Sequence, residues 1–129
     1  MAEKAVVRTD RAPAPFQGAP YSQAIRVGDL VFVSGQLALR PGESELTGGG
    51  IGPQTEQVLA NLQAILEEAG SGLDRLVKTT VYLANLDDFA GMNEVYARHV
   101  GDQPPARATI EVSALPSGAK VEIEAIATT

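Results

Sequence analysis

The chain has 129 residues, 44% of them hydrophobic and 20% charged, which suits one domain with a core and not a disordered segment. Its formal net charge is −6, from 16 acidic and 10 basic residues, and no run of Lys or Arg supplies the concentrated positive potential of a phosphate-tracking surface. There is no cysteine, so disulfides, thiolate nucleophiles and thiolate metal sites are excluded.

The opening stretch, MAEKAVVRTDRAPAP, lacks the apolar core of a secretory signal, and no apolar run is long enough to span a bilayer. A soluble, cytoplasmic protein is expected, with residues 1–18 as an N-terminal edge strand and loop on a single domain covering 1–129. Ala5 to Arg8 reads as the edge strand, before a loop through Pro13, Pro15 and Pro20. SQAIRVGDLVFVSGQ then reads as two strands joined by a turn at Val27-Gly28-Asp29. Leu30 to Val33 is apolar on both faces, the pattern of a central strand covered on each side.

After a loop containing Gly48, Gly49 and Gly50, Pro53 suits the first position of a helix running to about Ala69, with Gly70 as its stop. Val58, Leu59, Leu62, Ile65, Leu66 and Ala69 draw one apolar stripe along it. A strand follows at Leu76 to Leu83, with Val77, Thr79, Val81 and Leu83 on one face. Asn85 or Asp87 can cap a second helix, whose inward stripe includes Phe89, Met92, Tyr96 and Val100, with Asn93 on the same stripe. Arg98 and His99 suit the last turn before Gly101, and His99 reads as an exposed residue favoured there by the helix dipole. Arg107 to Val112 and Lys120 to Ala127 alternate as strands and, across a turn at Leu115-Pro116-Ser117-Gly118, read as a hairpin.

The order predicts an α+β fold, one mixed sheet with two helices on one face. The second face has no further helix to cover it. Other copies of the chain in a closed cyclic oligomer are expected there, a solvated face being the alternative.

Known catalytic motifs are sparse. No phosphate-binding glycine loop and no nucleophile elbow occurs, and with one histidine a histidine-rich metal site is excluded. The candidates are polar residues that structure alone does not require. Arg107 sits on a short strand and either faces solvent or holds an anion. Glu122 lies on the polar face of the final strand, and the predicted hairpin brings the two together as an ordinary cross-strand pair or as a site. Asn93 on an apolar stripe either caps a backbone group or meets a ligand. Ser34 and Gly35 end an apolar strand, as a plain turn or as a place of close approach. Tyr21 offers a phenol or anchors its loop.

The stretches APYSQAI, VFVSGQL, QTEQVLANLQAILEEAG, VKTTVYL, MNEVY, PARATIEV and VEIEAIA together resemble the RidA (YjgF-like) reactive-intermediate deaminases, from about Ala19 to Ala127. The resemblance implies a chorismate-mutase-like fold, a homotrimer and active sites between subunits. It implies cofactor-independent hydrolysis of 2-imino acids such as 2-iminobutanoate and 2-iminopropanoate to 2-oxo acids and ammonia. It places site residues at Tyr21, Ser34, Gly35, Asn93, Arg107, Thr109 and Glu122. Arg107 offers a planar fork to the substrate carboxylate and Glu122 is the candidate to orient or deprotonate water, while Ser34 and Tyr21 assist and Asn93, Thr109 and Gly35 help bind substrate. Ala108-Thr109 replaces the Ser-Cys common in the family, which is harmless if the position contributes its backbone N–H. Gly18-Ala19 stands where Ile-Gly is usual. Two other readings are a non-catalytic module binding small carboxylates or a protein partner, and a ribonuclease or translation inhibitor. Three copies at −6 each oppose the approach of RNA, and no nucleic-acid or membrane partner is expected.

Overall fold

A computed structural model describes residues 3–129. Six strands, β1 (Lys4–Val7), β2 (Ala24–Val27), β3 (Leu30–Gln36), β4 (Leu76–Leu83), β5 (Ala106–Glu111) and β6 (Val121–Thr128), form one sheet in the order β1-β2-β3-β6-β4-β5. Every pairing is antiparallel except β4 with β5. Two helices, α1 (Ile51–Glu68) and α2 (Phe89–Val100), pack on one face. The expected α+β arrangement is what the chain adopts.

The helix-facing layer follows the period-2 rule. Val31 and Val33 of β3, Val81 and Leu83 of β4, and Val121, Ile123, Ala125 and Ala127 of β6 are buried against Leu59, Leu62, Ile65 and Leu66 of α1 and Met92, Val95 and Val100 of α2. Burying each large aliphatic side chain contributes about 1.5–3 kcal/mol. The apolar stripe read along α1 is therefore its buried face. That helix starts two residues before Pro53, which takes the third helical position, where its missing N–H has no intrahelical partner to lose. The glycine run explains the earlier start. Gly49 and Gly50 have φ of 94° and 90°, and the Gly50 carbonyl accepts from Gln54 N at 3.1 Å to open the helix. At the other end Gly70 (φ 83°) stops it, and Arg26 Nη1 donates to the Ala69 carbonyl.

Several expectations change in detail. The edge strand spans Lys4–Val7, not Ala5 to Arg8. In β4 the register slips between Leu76 and Lys78, so Leu76 is buried while Val77 is 48% exposed on a bulge. Asn85 Oδ1 caps a short turn leading into α2 by accepting from Asp87 N, and Asp87 caps nothing. Phe89 is 40% exposed rather than inward. His99 is not a free surface residue: its Nε2 lies 2.8 Å from Glu56 Oε2 and ties the end of α2 to α1.

The larger correction concerns the end of the chain. β5 and β6 are not a hairpin, because β6 lies between β3 and β4 while β5 runs parallel to β4 at the sheet edge. Both facts have physical causes. VEIEAIAT has neither Pro nor Gly to interrupt a ladder, so both edges of β6 can pair, as an interior position requires. Pro104 and Pro105 cannot donate to a ladder and suit an edge, and the α2 crossover between β4 and β5 makes a parallel βαβ unit.

The second face of the sheet carries no helix. Leu30 and Phe32 of the interior strand β3 are 42% and 43% exposed there, and Ile110 of β5 is 46% exposed. Leu30 to Val33 is thus covered on one side within the chain, and its other side is the face for which cover by other copies is expected.

Candidate active site

Alternation assigns each candidate to a face. Thr79 of β4, buried against the helices, pairs in register with Arg107 and with Ala125, so Arg107 and Thr109 lie on the helix side of β5. Tyr82 of β4 pairs with Glu122 and with Ile110, so Glu122 lies on the open side. Arg107 and Glu122 therefore occupy opposite faces of one sheet, and the intrachain meeting expected from the hairpin does not occur. The face of β5 that carries Arg107 and Thr109 is its better covered one: both are half-buried while Ala106, Ala108 and Ile110 are exposed.

On the helix side, the Arg107 guanidinium stacks over the rings of Tyr96 and Phe89, 4.8 and 5.6 Å from their centroids. Among the described residues it makes no ion pair, so no carboxylate of this chain neutralises its charge. Tyr96 shares a 2.6 Å hydrogen bond with Thr79 Oγ1, and burial pushes its phenol pKa up, so the ring stays a neutral platform. Asn93 and Arg107 line a pocket of about 360 Å³ beside Pro104 and Pro105. Asn93 Oδ1 and Thr109 Oγ1 are buried without hydrogen-bond partners. In a finished site such atoms are normally satisfied.

On the open side, Tyr21, Ser34, Gly35 and Glu122 come together in a cleft of about 420 Å³, with Phe16 and Glu124 in its wall. Ser34 and Gly35 do more than end a strand. Between the pairs Val33 with Ala125 and Gln36 with Ile123, β3 holds one residue more than β6, a bulge that turns Ser34 and Gly35 toward the cleft. The Glu122 carboxylate lies against the Gly35 backbone so closely that a Cβ there would stand 2.0 Å from Glu122 Oε2. Burial, and then the charge of Glu124, push the Glu122 pKa above its ordinary value of 4.5. The Ser34 hydroxyl donates to the Ser22 carbonyl at 2.6 Å, which leaves its oxygen as an acceptor. The Tyr21 hydroxyl accepts from Phe16 N, which leaves its proton free to donate.

Four of the seven sequence candidates thus share the open-face cleft and Asn93 and Arg107 the helix-side pocket, with Thr109 on the same face as the pocket. Sequence reasoning missed the aromatic shelf, Glu124, and Gln23, whose buried amide bonds Thr9 N and the carbonyls of Thr9, Ala12 and Pro13 and so fixes the loop that carries Tyr21. Glu124 was legible, since it follows Glu122 by two on one strand face. The shelf was not, because it depends on β5 lying beside β4 under α2. Among the described residues no cluster of His, Asp and Glu is placed to hold a metal ion, and no helix is long and apolar enough to cross a membrane.

The sequence model of a family described as endoribonuclease L-PSP matches residues 9–129. A RutC family protein of Pyrococcus abyssi is 51% identical, the match covering 96% of each chain. A mouse 2-iminobutanoate/2-iminopropanoate deaminase is 45% identical over 95% of this chain and 89% of its own. The crystal structure of RidA from an Antarctic Psychrobacter superimposes with a TM-score of 0.92 at 45% identity, covering 97% of this chain and 99% of that one. A mixed six-stranded sheet with two helices on one face, and the match over nearly the whole chain, show that this protein belongs to the RidA (endoribonuclease L-PSP) family.

Proposed function

We propose that the protein hydrolyses small 2-imino acids, such as 2-iminobutanoate and 2-iminopropanoate, to 2-oxo acids and ammonia, at sites completed between copies of the chain in a homotrimer. The observation that carries this reading is an Arg107 fork without an ion pair on the face opposite a raised-pKa Glu122, two halves of one site that a single chain cannot join. The name of the mouse relative supports the choice of substrate. The exposed Leu30, Phe32 and Ile110 give the open face a reason to be covered by further copies.

Arg107 of one copy grips the substrate carboxylate bidentately and fixes the imine carbon. Glu122 of a second copy takes a proton from water as its oxygen bonds to the carbon of the protonated imine, giving a neutral carbinolamine. The same carboxyl returns the proton to nitrogen. The C–N bond then breaks, ammonia leaves, and the hydroxyl proton passes to Glu122 as the C=O bond forms and from there to the departing ammonia, which leaves as ammonium and restores the carboxylate. Ser34 and the Tyr21 phenol are placed to hold the water or the imine nitrogen, while Asn93 and Thr109 line the carboxylate end. The imine is already electrophilic, so these groups assist an easy addition.

The test is to generate the imine with a threonine dehydratase and follow its loss with purified protein. Accelerated decay that Arg107→Ala abolishes is expected. Decay at the uncatalysed rate with wild-type protein, or full activity in Arg107→Ala, would overturn the reading.

A further inference from the structure

The cleft holds a second carboxylate to which the hydrolytic reading gives no task. Glu124 follows Glu122 by two residues on β6 and shares its open face. It is not left to solvent: the Tyr82 hydroxyl donates a short hydrogen bond to Glu124 Oε1. Tyr82 is the direct cross-strand partner of Glu122, and Thr80 is that of Glu124. The phenol therefore reaches diagonally from the Glu122 row to the Glu124 row, a span an aromatic side chain can cover. Its reach leaves Glu122 beside an acidic neighbour held in one geometry.

We propose that Tyr82 and Glu124 form a positioning pair that sets the proton state in which Glu122 meets the substrate, an inference that rests on the hydrolytic reading above. A donated hydrogen bond favours the charged form of its acceptor, and a charged neighbour favours the protonated form of Glu122. Two effects of the pair are visible. The Tyr82 phenol pKa is pushed up to about 12, first by the hydrogen bond to Glu124, so the hydroxyl keeps its proton and remains a donor. The Glu122 pKa is raised by burial and, second, by Glu124. A carboxyl that must take a proton from water and return it to nitrogen works best when its affinity for protons is closer to that of the medium. Burial supplies the larger part of that and the neighbouring Glu124 carboxylate adds to it.

The titratable and charged groups around Glu122 are few. On its own strand there is Glu124. From β4 come Tyr82 and Lys78, the ammonium of the latter donating to Thr80 Oγ1 at 3.3 Å. The N-terminal loop contributes Tyr21, β3 contributes the uncharged Ser34 and Gly35, and in the proposed assembly Arg107 of a second copy faces the site. Of these, only Glu124 and Tyr82 change in the variants below.

The experiment reads Glu122 directly. Protein carrying glutamate labelled with 13C at Cδ is titrated by NMR as wild type, Tyr82→Phe and Glu124→Gln, the Glu122 resonance being the one missing from Glu122→Gln. The expected midpoint falls in both variants, further in Glu124→Gln, which loses the neighbouring charge, than in Tyr82→Phe, which loses only a hydroxyl. The acid limb of kcat/KM for imine hydrolysis is expected to move down with it. Coincident Glu122 midpoints in wild type and both variants, or an upward move, would overturn the pair. If Glu122→Gln keeps wild-type activity, the hydrolytic role of Glu122 fails instead, and the titration still decides whether the pair governs its proton.

Discussion

The contact between Gly35 and Glu122 lets the position of the proposed base be perturbed without touching the base itself. In Gly35→Ala the new Cβ would stand 2.0 Å from Glu122 Oε2, 2.9 Å from Cδ and 3.1 Å from Cγ. Ordinary van der Waals contact begins at 3.4 Å, so the carboxylate must retreat by at least about 1.4 Å. The backbone at Gly35 is not left-handed, so alanine strains only the contact. Glu122 is a flexible, half-buried side chain that can swing away, and the stability cost should stay within about 1 kcal/mol. Catalysis is less forgiving. A displacement of about 1 Å in a positioned group can cost on the order of 100-fold. Steady-state imine hydrolysis should show kcat/KM reduced by about that factor, with Tm shifted by no more than about 4 °C. Wild-type kcat/KM in a variant whose crystal structure shows the carboxylate displaced would refute the claim that Glu122 acts from this place.

Two further outcomes follow from the geometry. Hydrolysis needs ionised Glu122 as base; because its pKa lies above 4.5, activity should be lost as pH falls through that raised value, earlier than for an ordinary carboxylate, and a kcat/KM profile checks this. Asn61, buried in α1, donates through Nδ2 to the carbonyls of Leu37 at 3.0 Å and Leu39 at 2.8 Å; Asn61→Ala leaves both without that donor and should lower unfolding stability by about 2–4 kcal/mol in denaturant titration.

How much of this was readable in the residues depends on the range of the interaction. The α1 stripe, Gly70 and the alternation of β4 and β6 are local patterns, and they read correctly apart from ends and the bulge at Val77. The partner of each strand is not local. Arg107 to Val112 and Lys120 to Ala127 looked like a hairpin because a turn joins them, yet β6 gains two ladders by inserting between β3 and β4. That one topological choice moves Arg107 beneath α2 and away from Glu122. The candidate residues were legible as a family pattern, and their division between the two faces of the sheet was legible only once the sheet order was known. The task of Gly49 and Gly50, positive φ at a helix entrance, is a backbone property that the residue pattern does not display.

The central claim, that Arg107 and Glu122 of different copies share a site, has a direct test in subunit mixing. Arg107→Ala and Glu122→Gln chains, each inactive alone, are unfolded together in equal amounts, refolded and assayed. In a closed ring with random assembly, roughly one quarter of the sites should pair an intact Glu122 with an intact Arg107 from the neighbouring copy, restoring about that fraction of wild-type activity. Mixed oligomers of confirmed composition that remain inactive would contradict the account.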